Sequence, residues 1–154
     1  MTLTVHTARV SYDGADRLDV TRKSAGPGIV FAPSWAILRP ALDALRCAES
    51  MRAAADVAPF PGADPVRYVE GAEAMRRAAD AVRDSTWALY VEAYRGEMRE
   101  SYRTQRAAWD ALLARESVTL VCYCADPARC HRTLLAGILA KLGATVAGER
   151  GSRG

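Results

Sequence analysis

The sequence lacks several features that would place it in a special class of protein. It has no run of about 18 consecutive apolar residues, the length that a membrane-spanning helix requires. Residues 1–6 do not show the charged and then apolar pattern of a secretory signal, and neither repeats nor low-complexity tracts occur. These absences argue against membrane, secreted and repeat proteins. We therefore expect a globular protein of the cytoplasm.

Lysine is nearly absent as well, since only Lys23 and Lys141 occur. Arginine therefore carries almost all of the positive charge, and the formal net charge of +3 does not by itself indicate nucleic-acid binding. The planar guanidinium suits two-point binding of phosphate or carboxylate. A GC-rich genome would also produce a chain rich in arginine and alanine, so both interpretations of the arginine content stay open.

Length and composition indicate an ordinary globular domain. The chain has 154 residues, of which 50% are hydrophobic and 25% charged. A chain of this size buries a sufficient core without a disulfide or a metal ion. We predict one α/β domain over residues 1–147 and a flexible tail over 148–154.

Periodicity and turn residues predict alternating strands and helices. Strands are expected at 3–12, 17–23, 29–31, 117–124 and 145–147, and helices at about 40–55, 64–84, 86–115 and 127–142. An aromatic stripe that includes Tyr94 follows helical spacing on the third helix. Such a stripe is more often part of a core than a cofactor site.

The triplet Cys130, His131 and Arg132 follows the apolar run 118–124 and the turn Asp126-Pro127, which is typical of a helix start. Carboxyl ends of strands and helix N-termini are where α/β proteins bind anions. A thiol there has reasons for a lowered pKa, so Cys130 is a candidate nucleophile. His131 is a candidate general acid or base, and Arg132 a candidate anion ligand.

The same segment also permits a metal site. Cys122, Cys124, Cys130 and His131 offer four ligands of the kind that zinc takes, but their spacing does not match the usual paired knuckle. Zinc is therefore the minority expectation, and the sequence requires no cofactor. A phosphatase-type loop requires five residues between its cysteine and its arginine. No cysteine of this sequence has that spacing, so such a loop is excluded.

Several residues outside this segment complete the candidate set. Asp19 is a third catalytic candidate, and the ligand-binding candidates, in addition to Arg132, are Arg22, Lys23, Ser34, Tyr94 and Arg99. Surface ion pairing is the alternative for the charges near Asp19, and a turn-forming role is the alternative for Ser34. One predicted helix face carries positions 95, 99, 103 and 106, all arginine, which suits either a solvated face or phosphate contact.

The chain resembles the domain-of-unknown-function family 488, small α/β proteins of bacteria, archaea and their phages. The resemblance rests on residues 17–23, 31–35, the helix face of Tyr94 and Met98, and above all 118–132 with its Cys-His-Arg. It implies a single Rossmann-like three-layer domain with a mostly parallel sheet and helices on both faces. It implies little about activity. The chain departs from the family in an alanine-rich region at about 47–84.

Three functions remain open. The first is a small enzyme, a hydrolase or transferase, that binds a phosphate-bearing ligand such as a nucleotide or a nucleic-acid end at Cys130, His131 and Arg132. The second is a non-catalytic nucleotide or nucleic-acid binding module that uses the arginine face. The third is a structural zinc domain. Neither a membrane partner nor an oligomeric state is predicted.

Overall fold

The computed structural model describes residues 1–151 and contains a four-stranded, all-parallel sheet with the strand order β2-β3-β1-β4. It confirms the predicted Rossmann-like α/β fold. The elements are β1 (Thr4–Arg9), β2 (Arg17–Asp19), α1 (Trp35–Ala55), α2 (Pro65–Thr104), α3 (Arg106–Leu113), β3 (Ser117–Cys122), α4 (His131–Lys141) and β4 (Thr145–Glu149).

Strand β3 lies inside the sheet, between β1 and β2. Its residues from Val118 to Cys122 are all buried, which is typical of a parallel strand covered on both faces. β-Branched valine and threonine favour the extended conformation here. The register aligns Cys122 with Arg9 of β1, so the two strands end together at one edge of the sheet.

Helix α4 packs on the face of the sheet to which Leu120 and Cys122 point. Its Leu135 and Leu139 are completely buried. They are four residues apart, so they share one face of the helix. The contacts of α4 are with β1, β3 and β4, which fixes its N-terminus beside the carboxyl end of β3.

Some boundaries differ from the predictions. Residues 27–31 form a short 3-10 helix rather than a strand, since Pro27 suits a helix start. Helix α1 begins at Trp35, and Pro40 lies inside it. Helix α2 continues through 84–86, where two helices were predicted, and ends at Thr104.

The described chain forms two compact units. One contains residues 1–35 together with the chain from Ala93 onward, and the other contains Ala36–Glu92. The second unit pairs α1 with the first part of α2 around the small residues Ala48, Ala55 and Ala79, which are buried. The apolar side chains of Leu42 and Leu45 on α1 are 38% and 36% exposed.

The C-terminal strand extends beyond the predicted domain end at 147. Gly148 and Glu149 pair with β1, and the backbone amide of Arg150 donates to the carbonyl of Thr7 at 2.7 Å. The remainder of the predicted tail, 152–154, lies outside the described residues. In the described part of the chain, no helix has the length and apolar character needed to cross a membrane.

A polar network covers the opposite face of β3, where the connection between β1 and β2 crosses. The Asp16 carboxylate accepts hydrogen bonds from Ser117 Oγ at 2.6 Å, Tyr12 Oη at 2.7 Å and Thr119 Oγ1 at 3.0 Å. Arg150 Nη2 lies 3.3 Å from the same carboxylate. Burial alone would raise the pKa of Asp16, but these hydrogen bonds and the Arg150 charge outweigh it and lower the pKa to about 2.

This network predicts an acid-dependent stability. The folded-state pKa of Asp16 is lowered from 3.8 to about 2, so its stabilising contribution is present above pH 3.8 and is lost as the pH falls towards 2. We expect Asp16→Asn to lower the free energy of unfolding by about 2 kcal/mol at neutral pH. In urea titrations its deficit relative to the wild type should shrink between pH 4 and 2. A deficit that does not change over this interval would contradict the assignment.

Position 28 requires glycine because its backbone lies close to the backbone of Asp19. A Cβ atom at this position would lie 1.8 Å from the carbonyl oxygen of Asp19, which is backbone and cannot rotate away. We expect Gly28→Ala to destabilise the protein by about 2 kcal/mol or more. Gly71→Ala is the matched control, because nothing lies within 4 Å of a Cβ there and alanine favours a helix. Equal thermal midpoints for the two variants would contradict this prediction.

Candidate functional site

Three cysteines meet at the carboxyl end of β3. Cys122 is the last residue of the strand, Cys124 follows two residues later, and Cys130 is the N-cap residue of α4. Their sulfur atoms all lie within 4.8 Å of one another. We call these three residues the cysteine cluster. Its spacing suits either a reactive thiol group or a soft metal ion.

The loop between β3 and α4 brings the cluster together. The Asp126 side chain accepts a hydrogen bond from the Ala128 amide at 2.9 Å and so caps a 3-10 turn over Pro127–Arg129. The predicted capping residue is therefore correct, but it caps this short turn, and α4 starts only at His131. The turn reverses the chain and places Cys130 against Cys122 and Cys124.

The three thiols differ in exposure and ionisation. Cys124 is exposed, whereas Cys122 and Cys130 are buried. Hydrogen bonds from Cys122 and Cys130 lower the pKa of Cys124 to about 3 against an opposing effect of burial, and the Arg132 charge contributes in the same direction. Hydrogen bonding to both neighbours, together with burial, raises the pKa of Cys130. The negative charge of the cluster therefore resides on Cys124.

His131 is held in one orientation beneath the cluster. Its Nε2 lies 2.7 Å from the carbonyl oxygen of Val20, and its Nδ1 lies 3.8 Å from Cys122 Sγ. A carbonyl only accepts hydrogen bonds, so Nε2 carries a hydrogen. In the neutral ring the lone pair then lies on Nδ1, facing the Cys122 thiol. The side chain is only 5% exposed, so it does not reach solvent freely.

Arg132 is completely buried and is engaged inside the protein. Its Nη2 forms an ion pair with Glu149 Oε1 at 2.9 Å, and its Nη1 donates to the Cys124 carbonyl at 2.7 Å. Nη1 also lies 3.5 Å from Cys130 Sγ. These contacts fix the cysteine loop to α4 and β4. They favour a positioning role for Arg132 over the predicted contact with a ligand anion.

The predicted residues near β2 lie at the same edge of the sheet as the cysteine cluster. The Asp19 carboxylate accepts hydrogen bonds from the amide and hydroxyl of Thr21, at 2.9 and 2.7 Å, and lies 3.6 Å from Arg17. It thus shapes the turn that presents the Val20 carbonyl to His131. Arg22 and Lys23 follow, and Lys23 Nζ is 5.9 Å from the ring centroid of Tyr123.

Ser34 and Tyr94 have structural contacts. The amide of Ser34 donates to the Glu97 carboxylate at 2.9 Å, and its hydroxyl contacts the same group, which closes the start of α1. Tyr94 is completely buried, and its hydroxyl donates to the Phe31 carbonyl at 2.7 Å. The Tyr94 ring lies 5.7 Å from that of His131, so Tyr94 supports the site from beneath.

Arg99 lies elsewhere. It lines a cavity of about 320 Å³ with residues from α2 and the C-terminal part of α4, namely Arg95, Met98, Tyr102, Ile138, Lys141 and Leu142. Ile138 is seven residues beyond His131, or about 10 Å along a helix. The structure therefore separates Arg99 from the cysteine cluster.

The predicted arginine face is also divided. Helix α2 ends before position 106, and Arg106 belongs to α3. Arg103 pairs with Glu100 at 2.7 Å, and Arg106 pairs with Asp110 at 2.9 Å. These acidic partners favour the solvated alternative for this face.

Sequence reasoning missed two members of the site. Glu149 was placed in a flexible tail, and the Val20 carbonyl carries no side-chain signal. The only indication for Glu149 was a single acidic residue two positions after the short predicted strand 145–147. The exposed position of Cys124 was missed because the burial of each thiol depends on how the loop packs against residues distant in sequence, such as Val20.

Comparisons with known proteins agree with the family resemblance. Residues 71–143 match the model of a family described as the active DUF488-N3 subclade. This stretch contains β3, the cysteine cluster and α4. No curated protein and no solved structure matches the chain.

Proposed function

We propose that the protein is a thiol-dependent enzyme, a hydrolase or transferase, in which Cys124 is the nucleophile. Cys124 lies within the stretch that matches the family model. The observation that carries the proposal is the position of Cys124, the exposed member of a cluster whose other two thiols are buried and donate to it. The word "active" in the description of the matching subclade is in keeping with an enzyme.

The neighbours of Cys124 supply what a thiolate nucleophile needs. An ordinary thiol is mostly protonated at neutral pH, and the thiolate is the reactive form. Thiol hydrogens from Cys122 and Cys130, and the nearby Arg132 charge, stabilise the thiolate of Cys124. This assignment differs from the predicted nucleophile Cys130, which is 1% exposed and has a raised pKa.

The substrate class follows from the position of the site and its rim. Ligands of open α/β sheets bind outside the carboxyl ends of the strands, where Cys124 lies. The Ala128 amide is already used by Asp126, and Pro127 has no N–H, so the loop itself offers few donors to an anion. Arg22 and Lys23, beyond the end of β2, are the cations that we assign to a phosphate group. The proposed substrate is a nucleotide or a phosphorylated nucleic-acid end.

The test uses NAD⁺, ATP and a 5′-phosphorylated DNA oligonucleotide as probes. We expect at least one probe to be turned over, or to leave a covalent adduct on the peptide containing Cys124 that intact-mass analysis detects. Cys124→Ser should abolish both signals, whereas Cys47→Ser should leave them unchanged, because Cys47 is an exposed cysteine on α1.

The rim cations are tested in the same assay. Arg22→Ala should weaken binding of the reactive probe about tenfold, the equivalent of about 1.4 kcal/mol. Arg67→Ala, at an exposed position of α2, is the matched control and should change nothing. Turnover that survives Cys124→Ser would reject the nucleophile. One stoichiometric zinc ion per chain in the purified protein would also oppose the proposal, since zinc would occupy the thiolate.

A further inference from the structure

The contact between Cys122 and Cys124 permits a covalent bond in addition to the hydrogen bond that stabilises the Cys124 thiolate. Cys122 Sγ donates to Cys124 Sγ at 3.8 Å. A disulfide requires about 2.05 Å, so the two sulfurs need to approach by less than 2 Å. Residues 123–126 are exposed, so the Cys124 side chain can turn toward Cys122 while its carbonyl stays bonded to Arg132 and β3 stays in place.

A base faces the buried member of this pair. His131 Nδ1 lies 3.8 Å from Cys122 Sγ, while Nε2 is committed to the Val20 carbonyl. The orientation of the ring therefore directs its lone pair at the thiol of Cys122. It gives Cys122, which is not exposed to substrate, a means of losing its proton.

Among residues 1–151, no base equivalent to His131 faces Cys130. Its sulfur lies 3.5 Å from the guanidinium Nη1 of Arg132, which donates a hydrogen and takes none. Its side chain is fixed at the start of α4 and is 1% exposed. The chemistry of the neighbours thus separates Cys122, beside a base, from Cys130, beside a donor.

We infer that Cys124 and Cys122 form a redox pair, in which a hydroperoxide oxidises Cys124 and Cys122 resolves the product as a disulfide. The inference rests on the nucleophilic Cys124 of the proposed function. It assigns separate roles to two thiols and makes His131 the base for the second step. Oxidation would remove the thiolate reversibly and so switch off the proposed turnover until a dithiol reduces the bond.

The reaction has two steps. The Cys124 thiolate attacks the distal oxygen of the hydroperoxide, the O–O bond breaks, and the leaving alkoxide takes a proton from solvent to become an alcohol. Cys124 is then a sulfenic acid. Cys122 gives its proton to His131 Nδ1 and attacks the Cys124 sulfur. The S–O bond breaks, and the hydroxide takes the proton from His131 and leaves as water.

The experiment treats the Cys47→Ser protein with tert-butyl hydroperoxide and follows its mass. We expect a loss of two hydrogen atoms that dithiothreitol reverses. Trypsin cleaves after Arg115 and Arg129, so Cys122 and Cys124 share one peptide, while Cys130 begins the next. The expected bond therefore lies within peptide 116–129, whereas any bond to Cys130 would join two peptides.

Three variants separate the roles. With Cys122→Ser, the sulfenic acid of Cys124 should persist and react with dimedone. With Cys130→Ala, the disulfide within peptide 116–129 should still form. With His131→Gln, the first oxidation should keep its rate, while disulfide formation slows about a hundredfold, the effect typical of a lost general base. A purely structural role for His131 would alter both steps or neither.

Several outcomes would overturn the inference. These are a sulfenic acid that persists when Cys122 is intact, a bond that joins Cys130, or a cluster that hydroperoxide does not oxidise. The result is independent of the nucleotide assay. A disulfide without any probe turnover would reject the proposed enzyme activity alone, and turnover without a disulfide would reject the redox pair alone.

Discussion

Replacement of Glu149 by alanine is expected to lower the free energy of unfolding by about 3 kcal/mol or more. The Arg132 guanidinium is completely buried, and the Glu149 carboxylate compensates its charge at 2.9 Å. Thr7 Oγ1 also donates to this carboxylate. Without Glu149 the buried positive charge loses its ion-pair partner and keeps only the thiolate of the cysteine cluster as a counter-charge, and this costs more than the loss of a surface ion pair. Urea unfolding at neutral pH measures the difference.

A surface pair provides the control. Arg103 and Glu100 lie 2.7 Å apart, but their side chains are 76% and 57% exposed. Glu100→Ala should therefore change the free energy of unfolding by less than about 1 kcal/mol. Glu149→Gln, which keeps a hydrogen-bond acceptor without the charge, should fall between the two. Equal losses for Glu149→Ala and Glu100→Ala would show that the Arg132 charge does not need its partner.

Alkylation of Cys124 by iodoacetamide is expected to proceed at nearly the same rate from pH 5 to pH 8. The lowered pKa of about 3 means that Cys124 is a thiolate throughout this interval. At pH values below its pKa, an ordinary thiol reacts about tenfold faster for each unit by which the pH rises, because only its thiolate reacts. Cys124 should therefore be the dominant site of alkylation at pH 6, and quantitative peptide mapping measures its rate.

The groups that face Cys124 set the controls for this experiment. The thiolate is stabilised by Cys122, Cys130 and the Arg132 charge. Behind them, Glu149 pairs with Arg132, and His131 contacts Cys122. The protein unfolded in urea is the reference, because Cys124 loses these neighbours there and its alkylation rate should rise with pH. A tenfold rise per pH unit for Cys124 in the folded protein would disprove the stabilised thiolate.

Much of the fold was predictable because its signals are local. The apolar run of β3 and the turn at Asp126-Pro127 depend on neighbours in sequence, and the structure contains both. The errors occurred where distant contacts decide. The segment 29–31 has strand-like composition, yet its phenylalanine packs edge to face with Trp109 from a 3-10 helix, at 5.0 Å between ring centroids.

The candidate site likewise combines features set by local sequence with features set by distant contacts. Hydrophobic periodicity and capping residues are local properties, so they were enough to predict that the site lies at a strand end and a helix start, with Cys122, Cys124, Cys130, His131 and Arg132. They gave no information on which thiol is exposed, where the His131 ring points, or what neutralises Arg132. These features depend on the folded chain, because Val20 and Glu149 are 111 and 17 residues away from the side chains they hold. Burial and charge compensation depend on such partners, and they are set when the strands assemble into the sheet.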